Sequence, residues 1–166
     1  MAMFVDWLAV GLLGLGALCD CRSRRIPNGL VLLTMAVATG ERVMASGPVT
    51  GSMSAAVAWV VGVFPWAILW VRGWMGAGDA KYFAAGAMLV PIPDIWQASA
   101  LAALLGGVYA TLLLARERGR HVGPSRRLPA ESPSQLATPW PTATIPYALP
   151  MGLALTVVRW WSHAPA

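Results

Sequence analysis

The chain has 166 residues, of which 57% are hydrophobic and 11% charged, with a mean hydropathy of +0.61. Soluble domains carry about 25% charged residues, so a soluble globular domain is all but excluded. Disorder needs low hydrophobicity and high net charge, and is excluded as well. What remains is a small all-α polytopic membrane protein, with residues 1–166 forming one domain.

Six hydrophobic segments follow in chain order: Met3–Leu18, Ile26–Ala45, Met53–Val71, Tyr82–Ile92, Ile95–Ala115 and Ile145–Trp161. About six transmembrane helices are therefore expected. A spanning helix needs about 20 apolar residues, which the third and fifth segments meet most clearly. The fourth is short, ends in Pro91-Ile92-Pro93, and is expected to be a short or partial span buried in protein. Asp6 stands where a signal peptide would carry basic charge, so the first segment reads as a helix that is kept. Gly11 and Gly14 in that segment are read as close-packing positions. In segment five Ala98, Ala102, Gly106 and Ala110 form a small-residue stripe of the same kind. Residues 116–143 are rich in Pro and Arg and read as a flexible cytoplasmic linker. Pro150 falls inside segment six, where a proline removes a hydrogen bond and can kink the helix.

Ten of the twelve basic residues fall in the loops after segments one, three and five. Those loops are expected to face the cytoplasm, with both termini outside. The two exceptions are Arg42 and Arg159. The net charge of +5 is thus a topology signal with anionic lipid as partner, and nucleic-acid binding is not expected. Cys19 and Cys21 have neither disulfide-framework nor zinc-ribbon spacing, and His121 and His163 read as solvated. No metal and no cofactor are expected.

The acids are few. Asp6, Glu41 and Asp94 fall toward the expected outer face, and Glu117 and Glu131 in the linker. Asp20 and Asp79 remain, both at expected cytoplasmic ends of hydrophobic segments, on one side and at one depth. Singly, Asp79 reads as an N-cap after the glycines of Gly76-Ala77-Gly78, and Asp20 as an interfacial acid among arginines. Together they read as a carboxylate pair sharing a proton, able to activate water and protonate a carbonyl oxygen. Asp20 ends one helix and Asp79 opens another, so helix dipoles assign the proton to Asp20 and the base to Asp79, unless the nearby arginines reverse this. Other residues have two readings. Lys81 snorkels or assists, Asn28 caps a helix or positions the Asp20 loop, and Tyr147 anchors at the interface or lines the site.

These residues resemble the type IV prepilin peptidase family of membrane aspartyl proteases. Asp20 with Arg22, Ile26, Pro27 and Asn28 matches its first motif, and Gly76, Gly78, Asp79 and Lys81 its second. The Ile145-Pro146-Tyr147 opening of the last segment is similar too. The short length resembles the branch that serves Flp-type pili. The resemblance implies an aspartic endopeptidase of the bacterial inner membrane, with Asp20 and Asp79 catalytic. It implies removal of the leader from prepilin or pseudopilin helices at the cytoplasmic face. The four-cysteine zinc domain of bifunctional members has no counterpart here, so N-methylation is not expected. The competing readings are a proton-coupled transporter or channel subunit and a non-enzymatic assembly protein.

Overall fold

A computed structural model of the protein describes residues 2–23, 25–73, 75–120 and 147–163. Six α-helices account for nearly all of them: α1 (Ala2–Ser23), α2 (Asn28–Ser46), α3 (Pro48–Val71), α4 (Ala77–Ala87), α5 (Ile95–Arg120) and α6 (Ala148–His163). No strand occurs among the described residues. Four stretches are long and apolar enough to cross a membrane: Phe4–Ser23, Asn28–Ser46, Pro48–Val71 and Ile92–Leu113. The eleven-residue α4 and sixteen-residue α6 are not among them.

The helix ends follow local chemistry. A single residue, Gly47, joins α2 to α3; its φ of +84° is open to glycine, and Pro48 then starts α3, where no N–H is needed. Gly51 lies against the backbone of Val43, so the two helices pack tightly from the turn onward. α4 starts at Ala77, five residues before the fourth hydrophobic segment, because Gly76 serves as its N-cap. It stops at Ala87, and the chain turns through Met88–Val90 into a 3-10 turn at Ile92–Asp94. Pro91 and Pro93 have no N–H with which to prolong a helix there. α5 continues to Arg120, so residues 116–120 are helical rather than part of a flexible linker. Residues 121–143 of that linker, and Pro146, lie outside the described residues.

Pro150 does not kink α6. The helix begins at Ala148, so the proline is its third residue. First-turn N–H groups have no partner within a helix, and nothing is lost there.

α4 is the centre of the bundle. Every residue from Tyr82 to Val90 is buried, with α2, α3 and α6 packed around it. Small residues permit this. A Cβ on Gly62 of α3 would come within 2.6 Å of the Ala87 Cβ. Gly86 leaves room for Leu155 of α6 and Leu13 of α1. Trp66 of α3 stacks obliquely on Phe83, with ring centroids 5.1 Å apart. The expected stripe on α5 also packs: Ala98, Ala102 and Gly106 are buried, and Gly106 lies against Tyr147 and Pro150. Gly11 and Gly14 do not pack as expected. Both are exposed, with nothing near enough to meet a Cβ, because α1 turns its Leu12, Leu13 and Gly16 side inward. The outward faces carry Phe4, Trp7, Leu18, Leu32, Met53 and Phe64, a surface suited to lipid. The molecule is a multi-pass membrane protein.

The two basic residues outside the topology pattern meet at one end of the bundle. Arg159 of α6 is 3% exposed. It pairs with Asp6 of α1 at 2.7 Å and Glu41 of α2 at 2.8 Å, and donates to the Leu89 carbonyl. Arg42 of α2 donates to the carbonyls of Met88 at 2.8 Å and Val90 at 2.7 Å.

Two glycine substitutions should therefore differ in sign. Gly62→Ala overpacks α3 against α4 and should destabilise by about 1–3 kcal/mol. Gly11→Ala meets open space and replaces a poor helix former, so stability should hold or rise by up to about 1 kcal/mol. Thermal unfolding in detergent measures both.

Candidate active site

Asp20 lies in the last turn of α1 and Asp79 in the first turn of α4. Their neighbours one turn inward explain how they come together. Gly16 precedes Asp20 by four residues and Tyr82 follows Asp79 by three, so each pair shares a helix face. The Tyr82 ring lies directly on Gly16, where any Cβ would collide with it. Its hydroxyl donates to the Leu13 carbonyl. On the other side a Cβ on Gly152 of α6 would stand 2.8 Å from the same hydroxyl oxygen. With the ring seated between α1 and α6, the next turn of α4 carries Asp79 up to the level of Asp20.

A third helix end joins them. The backbone N–H of Ala148, first in α6, donates to Asp20 Oδ2 at 3.2 Å. That N–H has no partner in its own helix. Asp20 is 6% exposed, so it is a buried acid rather than an interfacial one. Asp79 is half-buried, and it is the third residue of α4 rather than its N-cap.

Asp79 stands outside the four candidate spans. Burial first, and the charge of Asp20 second, push its carboxyl up to about 7. Burial and the neighbouring Asp20 charge thus favour a proton on Asp79, a direction opposite to that of the two helix dipoles alone. The N-terminus of α6 adds to the field at Asp20 through the Ala148 N–H.

The other motif residues surround this centre in different ways. Gly76 is extended, with φ −70°, and its carbonyl accepts the Asp79 N–H at 3.2 Å. A Cβ on it would lie 3.4 Å from Asp79 Oδ2. Gly78 is exposed, with open space over its Cα. Neither glycine makes a left-handed turn; Gly73, with φ +72°, does. Lys81 and Arg22 are exposed. Ile26 packs against the core. Pro27 caps α2, its carbonyl accepting the N–H groups of Leu30 and Val31. Asn28 is the first helical residue and exposed, so it is not the cap. Tyr147 is half-buried and packs against Gly106 of α5.

Four residues that hold the site escaped the motif reading: Gly16, Tyr82, Ala148 and Gly152. The spacings Gly16–Asp20 and Asp79–Tyr82 carried a signal for two of them. The Ile145-Pro146-Tyr147 opening marked the start of the helix that Ala148 begins, and nothing local marked Gly152. Among the described residues no group of three or more His, Cys, Asp or Glu stands together as metal ligands would.

A family model described as the type IV leader peptidase family matches residues 7–111, which include both Asp20 and Asp79. That is 105 of the 166 residues. No curated protein and no solved structure matches the chain.

The raised Asp79 carboxyl has a stability consequence. Its ordinary value is 3.8 and its folded value about 7, so the folded protein holds this proton more tightly than the unfolded chain. The stabilisation is complete below 3.8 and is lost as pH rises through about 7. Asp79→Asn should remove this fall, flattening the melting temperature against pH across that window.

Proposed function

The chain belongs to the type IV leader peptidase family, and from that premise we propose that it is an aspartic endopeptidase whose catalytic pair is Asp20 and Asp79. One observation supports this reading above the others. Two carboxyl groups 59 positions apart in sequence stand on the ends of α1 and α4, each one turn outward from the contact of Tyr82 with Gly16.

The chemistry then runs as follows. Ionised Asp20 takes a proton from water as the water oxygen attacks the scissile carbonyl carbon. Protonated Asp79 gives its proton to the carbonyl oxygen, producing a tetrahedral diol. The diol collapses, the C–N bond breaks, and Asp20 passes its proton to the leaving amine. A diol hydroxyl returns a proton to Asp79. The cycle consumes one water and regenerates both acids. Gly78, exposed beside Asp79, leaves the approach to the pair uncrowded.

The substrate is the leader junction of a prepilin or pseudopilin helix of the Flp type, cut at the cytoplasmic face of the bacterial inner membrane. About six segments enter the bilayer with both termini outside, the fourth a short or partial span that begins at the buried Tyr82 and leaves Asp79 outside it. The exposed Arg22, Arg25, Arg72 and Lys81 stand near the catalytic level and suit anionic headgroups. The enzyme cleaves without N-methylating its product. Arg24, the remaining basic residue of the first cytoplasmic loop, lies outside the described residues.

Co-expression with a candidate prepilin tests the reading, with leader removal followed by gel shift and N-terminal sequencing. Wild type should cleave, and Asp20→Asn and Asp79→Asn should each abolish cleavage at equal membrane levels. Cleavage surviving either change rules out the pair, as would a transporter or assembly protein indifferent to both. The rate should also fall as pH rises through about 7, where Asp79 loses the proton it must donate. A rate that climbs across that window instead would give the proton to Asp20.

A further inference from the structure

We propose that Arg42 and Arg159 are positioning residues for the acid pair, acting from the opposite end of α4. The inference rests on the reading of Asp20 and Asp79 given above. α4 ends at Ala87 deep inside the bundle, and the chain continues through buried Met88, Leu89 and Val90. Three successive carbonyls in that turn need donors away from water. Arg42 takes Met88 and Val90, and Arg159 takes Leu89. Two guanidinium groups from two other helices thus grip the far end of α4. Their positive charge is also placed where the helix dipole is negative, while Asp79 sits in the first turn at the other end.

The grip is itself fixed. Arg159 is held by Asp6 of α1 and Glu41 of α2, and Arg42 also reaches Ser54 Oγ of α3 at 3.4 Å. Those helices include α1, which carries Asp20. The separation of the two acids along the bundle axis is therefore set by one rigid path. It runs down α1 from Asp6 to Asp20, and down α4 from the gripped carbonyls to Asp79. Each leg is a helix of about 14–21 Å at 1.5 Å per residue.

Side packing alone controls height poorly. Much of the buried surface of α4 is small: Ala80, Ala84, Ala85, Gly86 and Ala87. Such a surface resists sideways displacement more than sliding. Tyr82 on Gly16 and Phe83 against Trp66 supply stops along the helix, and the two arginines supply the one at its far end. A slip of about 1 Å at a catalytic group can lower a rate by about 100-fold, so the height of α4 matters to the chemistry.

The test uses the full chain in detergent, with two readouts. The first is kcat and KM for prepilin cleavage. The second needs no activity: with Cys19→Ala and Cys21→Ala, the acids are replaced as Asp20→Cys and Asp79→Cys. Bridging by a short bis-thiol reagent is then timed. The clamp variants are Arg42→Gln, Arg42→Lys, and Arg159→Gln combined with Asp6→Asn and Glu41→Gln, so that no acid is stranded. Arg42→Gln and the triple variant should lower kcat by about 100-fold with KM changed less than about twofold, and slow bridging by about tenfold. Arg42→Lys, which keeps one charged donor, should recover most of both. Folded variants with a lowered melting temperature but unchanged kcat and bridging would overturn the proposal, leaving the arginines a purely structural role. Slowed bridging in a protein whose wild type cleaves no prepilin would support the positioning path while removing the peptidase reading. Cleavage by wild type with bridging unaffected in every clamp variant would remove the positioning path alone.

Discussion

The seat of Tyr82 on Gly16 is the contact on which the acid pair depends. The ring fills the gap between α1 and α6 that Gly16 and Gly152 leave open, and its hydroxyl closes on the Leu13 carbonyl. A helix as short as α4 has little hold on its neighbours through backbone alone. One large side chain in a fitted slot fixes its rotation, and the residue one turn outward on the same face is Asp79. Because Gly16 and Asp20 are also one turn apart, the fit is copied outward as an encounter of carboxyl groups. The placement of the two acids is a consequence of packing one turn deeper.

The bundle has two polar ends with an apolar barrel between them. At one end three helix termini converge on Asp20 and Asp79. At the other, Asp6, Glu41, Arg42 and Arg159 close around the turn that follows α4. Buried arginines are expensive to desolvate, and isolated pairs often add little net stability. Here the guanidinium groups satisfy carbonyls that the end of a helix leaves exposed, so their burial answers a need that hydrophobic side chains could not meet. The outer faces of α1, α2, α3 and α5 are largely apolar and suited to lipid.

The electrostatics of the pair show why local rules were insufficient. A carboxylate at a helix C-terminus should be the reluctant anion and one at an N-terminus the willing one. Asp20 also receives the amide of Ala148 from a third helix, and burial and the Asp20 charge both raise Asp79. The field at each carboxyl is a sum over every terminus facing it. All three termini lie at motifs, but that the third, 128 positions along from Asp20, faces that carboxyl is set by packing.

The sequence by itself determined the class of protein, the helical segments, the two acids and the family. It did so because apolar length, charge placement and short motifs are local properties. The small stripe of α5 was legible for the same reason, since its period is that of one helix face. The tertiary structure decided which of several equivalent glycines pack. Gly16 faces a partner and Gly11 and Gly14 face outward, a difference fixed by the direction in which α1 is turned. It decided that Pro150 opens a helix rather than bending one, and that Tyr147 packs on Gly106. It also decided which carbonyls Arg42 and Arg159 meet. Each of these depends on residues far apart in the chain meeting across helices, and only packing sets which helices meet and at what height.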